Sequence, residues 1–205
     1  MAPRSRHAYL APAIVTGWLG TLALLGYRIA THRLGANPVA TAVNQLGLLG
    51  MVLLVASLCA TPLKLTLGLT WPLRVRRTLG LLAFFTVLLH FIVYLGADQG
   101  WDVIAVLEDV QKRPFISIGC CAFLLLFPLA WTSSKAAVQR LGFALWQRLH
   151  RLVYVVAALA ALHFYLRVKA DHTQPLIYIG VLLAGFAVRV FAARVKGRRR
   201  KARLD

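Results

Sequence analysis

Acidic residues are scarce in this chain: six Asp and Glu stand against 24 Lys and Arg in 205 residues. None of the six falls inside a long apolar run, which argues against a proton relay or cation pathway built on a buried carboxylate. Charged residues of both signs make up only 15% of the chain, where a soluble domain carries about 25%. That deficit excludes an ordinary soluble domain, and a 60% hydrophobic content excludes disorder. The three cysteines, Cys59, Cys120 and Cys121, all lie in apolar stretches. They suit packing better than a disulfide framework or a zinc site. No internal repeat, low-complexity linker or second domain can be cut from the sequence, and no nucleophile–base pair or metal-water site stands out.

What the chain does have is apolar length and positive charge. A mean hydropathy of +0.70 beside a net charge of +18 is reconciled if apolar blocks cross a bilayer and the charge collects between them. Six blocks can be cut, each near the ~20 residues a crossing needs. They are 9–27, 44–62, 78–97, 115–132, 149–166 and 175–194. The expectation is an all-α integral membrane bundle of six transmembrane helices, one domain over 1–205 with a basic cytoplasmic tail at 195–205. The first block is long and studded with Gly and Trp, and no small-residue cleavage site follows it, so it reads as a span and not a cleaved signal peptide.

Charge sets the expected orientation. With the amino terminus inside and six alternating spans, 18 of the 24 Lys and Arg fall on the inner side, and five of the six acidic residues fall outside. The net charge splits into about +17 inside and +1 outside, which predicts an inner-membrane protein with both termini cytoplasmic. The run Arg198-Arg199-Arg200-Lys201 reads as a stop-transfer signal and an anchor to anionic membrane lipid. A nucleic-acid partner is not expected, because no aromatic platform accompanies the charges.

Polar chemistry within the blocks rests on histidine. His7, His32 and His172 fall in the tail and outer loops and read as solvated. His90 lies 12 residues after Thr78 and His163 lies 14 after Leu149, so each rises about 18–21 Å from the same face. Packing or an interhelical hydrogen bond would account for either one alone. Two imidazoles at matched depth on neighbouring helices are what a six-coordinate haem needs. His150 sits at the inner boundary, 13 residues and about 20 Å before His163 on the same span. On an ideal helix those two rings lie about 140° apart, so a tilt, a local distortion or different partners for the two rings is required. Arg76 falls within about 40° of the His90 face. Arg76 and Arg77 therefore stand at the inner level, suited to propionates or a flavin phosphate, or serving only as topology signals.

The combination of Thr61-Pro62-Leu63, Arg76 to Leu81, His90 with Tyr94, Lys112 to Phe115, Leu129 to Ser133, and Trp146 to His150 continuing to His163 resembles the MsrQ (YedZ) family. That family is the haem-binding membrane subunit of the periplasmic methionine sulfoxide reductase system, within the ferric-reductase-like transmembrane group. The resemblance spans essentially the whole chain. It implies an electron-transfer subunit with no substrate chemistry of its own. Electrons from a cytoplasmic flavin reductase or the quinone pool would pass through one or two b-type haems, with FMN at the inner side. They would reach a periplasmic molybdenum-cofactor methionine sulfoxide reductase subunit. The implied haem ligands are His90, His150 and His163, and the implied propionate or FMN contacts are Arg76 and Arg77. No dinucleotide-binding domain accompanies these spans, so a separate donor is implied.

Two other readings stay open on the residues alone. One is a quinol-oxidising b-type cytochrome or a metal reductase serving another acceptor; the other is a cofactor-free transporter or structural membrane protein. The outer segment Asp98–Arg113, with four acids among Trp101, Val103, Ile104, Val106 and Leu107, reads either as a partner-docking loop or as an interfacial helix.

Overall fold

The computed structural model describes residues 9–201, with side chains to Gly197. Arg4, Arg6, His7 and the chain's last four residues lie outside it, as do the side chains of the 198–201 run. Among the described residues every element is helical. In a bilayer this follows from backbone hydrogen bonding, since lipid offers no partners and a helix satisfies its own groups. The order is α1 (Leu10–Ala30), α2 (Pro38–Leu67), α3 (Trp71–Val93), a π-helical turn (Tyr94–Asp98), α4 (Val103–Lys112), α5 (Pro114–Trp131), α6 (Lys135–Leu141), α7 (Phe143–His150), α8 (Val153–Arg167) and α9 (Thr173–Lys201).

Six helical segments are long and apolar enough to cross a membrane: Leu10–Ala30, Pro38–Leu67, Trp71–Asp98, Pro114–Trp131, Phe143–Arg167 and Thr173–Gly197. The chain is a multi-pass membrane protein. Prolines set several helix starts, at Pro38, Pro72 and Pro114, where a missing N–H costs nothing. Asn37 caps α2 by accepting from the Ala40 N–H at 3.0 Å. Gly68, at φ +70°, closes the same helix in a left-handed turn that a Cβ would strain.

α2 is the central helix. It packs most extensively on α3 and also on α9, while α5 packs on α8. The main core joins Leu53, Leu54 and Leu58 to Leu82, Ala83 and Phe84, closed by Leu126, Val156 and Ala157. The outer surface is apolar in the opposite sense to a water-soluble protein. Trp131 is 78% exposed, Phe191 70% and Leu124 67%, as expected for side chains that face lipid.

The helices overrun the apolar blocks. α3 begins at Trp71, so Arg74, Arg76 and Arg77 ride on its first turns instead of a preceding loop. α9 continues unbroken to Lys201, which makes the start of the basic tail a helical extension. α4 is a short helix capped by Asp102, whose side chain accepts from the Ile104 and Ala105 N–H groups. It leaves Val103, Ile104 and Leu107 exposed on one side, the amphipathic form of the interfacial reading.

The fifth span is two helices. Between α7 and α8 the bonds tighten to i−3 spacing: Arg151 N–H to the Arg148 carbonyl, Leu152 to Leu149 and Tyr154 to Arg151. Three such steps add about 60° of rotation over an α-helix, which narrows the His150–His163 offset from about 140° to about 80°. The remaining offset leaves the two rings on different faces, each with its own partner, Thr132 for His150 and the Phe115 carbonyl for His163.

One buried polar contact ties the first span to the bundle. The Trp18 indole N–H donates to Thr86 Oγ1 at 2.8 Å, and that fully buried hydroxyl donates to the Leu82 carbonyl at 2.7 Å. Thr86→Val and Trp18→Phe should each lower the unfolding midpoint in detergent, with a double-mutant coupling of about 0.5–1.5 kcal/mol. Strictly additive effects would mean that the bond contributes nothing.

Candidate functional site

The structure brings His90 and His163 together. Their ring centres lie 6.3 Å apart with planes at 89°. Each ring is held from behind by a backbone carbonyl, Val43 O at 2.8 Å from His90 Nδ1 and Phe115 O at 2.6 Å from His163 Nδ1. A carbonyl only accepts, so in both neutral rings Nδ1 carries the proton and Nε2 keeps its lone pair. A ring nitrogen bound to a backbone carbonyl is the usual outer partner of a metal-ligating histidine, fixing tautomer and orientation. Two imidazoles that share one metal at about 2 Å through Nε2 place their ring centres roughly 6 Å apart. The observed spacing fits that arrangement.

Both rings line a cavity of about 290 Å³ between α2, α3, α5 and α8. Its walls are aliphatic and aromatic, including Leu54, Val87, Phe91, Phe123 and Leu126, with Phe91 and Phe123 ring centres 5.1 Å apart. Among the described residues no three His, Cys, Asp or Glu side chains converge to cage a bare ion. Two imidazoles facing each other across an apolar slot would suit a metal group that brings its remaining ligands with it.

Two guanidiniums line the same cavity, those of Arg113 and Arg167. Arg167 lies one helical turn beyond His163 and donates to Asn44 Oδ1. Arg113 bridges both Asp109 oxygens at 3.2 Å and stacks over Phe115, 4.8 Å from its ring centre. Tyr94, in the π-helical turn, donates its hydroxyl to the same Asp109 at 3.1 Å. Nearby on α4, the Glu108 carboxylate 2.7 Å away holds the Lys112 ammonium above its ordinary pKa. Asp98 lines the cavity too and Arg113 is paired with Asp109, so Arg167 is the guanidinium there without a carboxylate partner among the described residues, and it favours a ligand with an anionic group at that edge.

His150 is not part of this cluster. Thr132 donates its hydroxyl proton to the Pro128 carbonyl at 2.7 Å, so its oxygen accepts from His150 Nε2–H at 3.1 Å. Here the ring keeps its lone pair on Nδ1, the reverse of the other two. Trp146 lies against it with ring centres 4.2 Å apart, and its indole N–H donates to the Thr132 carbonyl at 2.9 Å. Arg76 is half-buried, and its carbonyl accepts from Ser57 Oγ at 3.0 Å. Arg77 is exposed. Neither arginine lines the His90–His163 cavity.

Residues 45–161 match the family described as "Ferric reductase like transmembrane component". A protein from Deinococcus radiodurans is 48% identical over 178 residues, covering 87% of this chain and 88% of its own. One from Rhodospirillum rubrum is 47% identical over 181 residues, 88% of this chain and 87% of that one. A third, from Caulobacter vibrioides, is 42% identical over 196 residues and 93% of each. All three are named protein-methionine-sulfoxide reductase heme-binding subunit MsrQ.

The chain belongs to the MsrQ family. The match to the wider ferric-reductase-like group ends at residue 161, just short of His163, whereas the MsrQ relatives span most of the chain.

Two glycines of this MsrQ-family chain were not legible as site residues. A Cβ on Gly119 would stand 2.7 Å from His163 Nδ1, and one on Gly47 would stand 3.2 Å from His90 Nδ1. Each lets a ring lie flat against the neighbouring helix. The available signal was a glycine inside an apolar span, where it costs helix stability unless close packing requires it. Arg167 had a plainer signal, its i+4 spacing from His163. Gly119→Ala should destabilise the folded protein by about 1–3 kcal/mol through overpacking, and Gly47→Ala by less. Thermal unfolding in detergent checks the order, and equal midpoints would show that the rings are not held in these slots.

Proposed function

We propose that this chain is the haem-binding membrane subunit of a methionine sulfoxide reductase system, passing electrons across the inner membrane to a periplasmic molybdenum-cofactor enzyme that repairs protein methionine sulfoxide. The observation that carries the reading is the facing pair His90 and His163, with both Nε2 lone pairs free and the ring centres 6.3 Å apart. The relatives' names and the family membership support the same assignment.

In this reading His90 and His163 would hold one b-type haem through their Nε2 atoms. The carbonyls of Val43 and Phe115 orient the rings and raise their donor strength. Leu54, Val87, Phe123 and Leu126 give the cavity an apolar lining that would exclude water around the group, and Arg113 and Arg167, which line the same cavity, would pair with its propionates. When bound, haem supplies a one-electron iron couple whose potential follows from axial ligation and burial.

The excess of positive charge supports a cytoplasmic position for Arg76, Arg77 and His150 and for both termini. We assign electron entry to this region, from a cytoplasmic flavin reductase or from quinol. The two arginines suit the phosphate of FMN, and His150 is the remaining candidate ligand for a second haem. Binding there would use Nδ1, or Nε2 after release from Thr132.

A purified, dithionite-reduced sample should show the sharp α band of a low-spin b-type haem. His90→Ala and His163→Ala should each abolish or strongly shift that band, while Arg167→Gln should retain it with a changed midpoint potential. A colourless wild-type protein, or wild-type spectra for both histidine variants, would overturn the assignment. His150→Ala tests the entry region separately, and it should preserve the band of the His90–His163 haem.

A further inference from the structure

A second hollow lies on the far side of α8 from the histidines. This groove of about 500 Å³ runs between the end of α2, α8 and α9, and its walls are almost wholly apolar. Ala157, Ala161, Leu182 and Gly185 form its floor, and Ala158, Leu162, Leu183 and Phe186, each exposed, form its rim. One end is different. There Arg189 donates to Tyr154 Oη at 3.0 Å and to the Leu58 carbonyl at 2.6 Å. Among the described residues no carboxylate pairs with it; the only ion pairs are Lys112–Glu108 and Arg113–Asp109, both on or beside α4. A guanidinium has five N–H donors, so Arg189 keeps its charge unmatched and several donors unspent.

Depth identifies what this end faces. Arg189 lies 16 residues into α9, about 24 Å along a hydrocarbon core about 30 Å thick. Its side chain therefore reaches the headgroup level on the arginine-rich side. From Arg189 to Ile179 the groove runs ten residues, about 15 Å, the depth of one leaflet. We propose that the groove is a binding site for one anionic phospholipid, its phosphate on Arg189 and Tyr154 and an acyl chain lying along α8 and α9. A neutral headgroup, such as a quinone, would leave the guanidinium unpaired, whereas a phosphodiester matches both its charge and its donors. The basic face around Arg76, Arg77 and Arg194 enriches such lipids locally.

Native mass spectrometry of the full chain in detergent, titrated with phosphatidylglycerol or phosphatidylcholine of matched acyl chains, tests this. The expected result is one tightly held phosphatidylglycerol, preferred over phosphatidylcholine by about tenfold or more. Arg189→Gln should remove the preference. Because Arg189 also bonds the Leu58 carbonyl, Ala158→Trp serves as a second variant, filling the groove while leaving the guanidinium intact; it should lose the bound lipid and keep the wild-type unfolding midpoint. Equal binding of the two lipids, undiminished phosphatidylglycerol binding by both variants, or recovery of a quinone in the groove instead of phospholipid would overturn the proposal. None of these outcomes depends on the haem assignment.

Discussion

The bonds from His90 and His163 to the carbonyls of Val43 and Phe115 organise much of this bundle. A helix interior normally keeps its carbonyls for its own ladder, but a carbonyl has two lone pairs and can accept twice. Each bond joins two helices, α3 to α2 and α8 to α5, and each turns an imidazole so that its basic nitrogen faces the cavity. The absence of side chains at Gly47 and Gly119 is what allows those helices to approach closely enough. Ligand orientation and helix packing are thus one arrangement. A change that spreads the helices also turns the rings.

Much of the fold was legible because the bilayer restricts the alternatives. Six apolar blocks near 20 residues, with charge between them, can hardly be anything but spanning helices. The shared depth of His90 and His163 followed from rise per residue alone. Helix ends were less legible, because polar residues such as Arg74 to Arg77 continue a helix past the hydrocarbon boundary without any change in backbone geometry. Rotation about the fifth span was illegible for a physical reason: the 3₁₀-type tightening at Arg151 to Tyr154 has no Pro or Gly to mark it.

The site divides the same way. The histidines stand out because an ionisable side chain in an apolar run is rare. Neither Arg113, noted within the Lys112–Phe115 motif, nor Arg167 was read as a site residue, since their reach into the cavity depends on where Phe115 and Asn44 come to lie. Arg76 and Arg77 drew attention as an adjacent pair, yet neither lines the cavity of the paired rings. Sequence gives the level of a residue in the membrane well, and its azimuth poorly.

The interruption between α7 and α8 has a mechanical side. A straight span transmits tilt and twist from end to end, so a strain applied at His150 would be felt at His163. Here the tightened turn at Arg151 and Leu152 separates α7, with its Trp146–His150–Thr132 contacts, from the α8 segment fixed by Phe115 and the core at Val156 and Ala157. The two ends of the span are therefore a joint and an anchored rod. The contacts that hold the first, at Thr132, are separate from those that align the second, at Phe115.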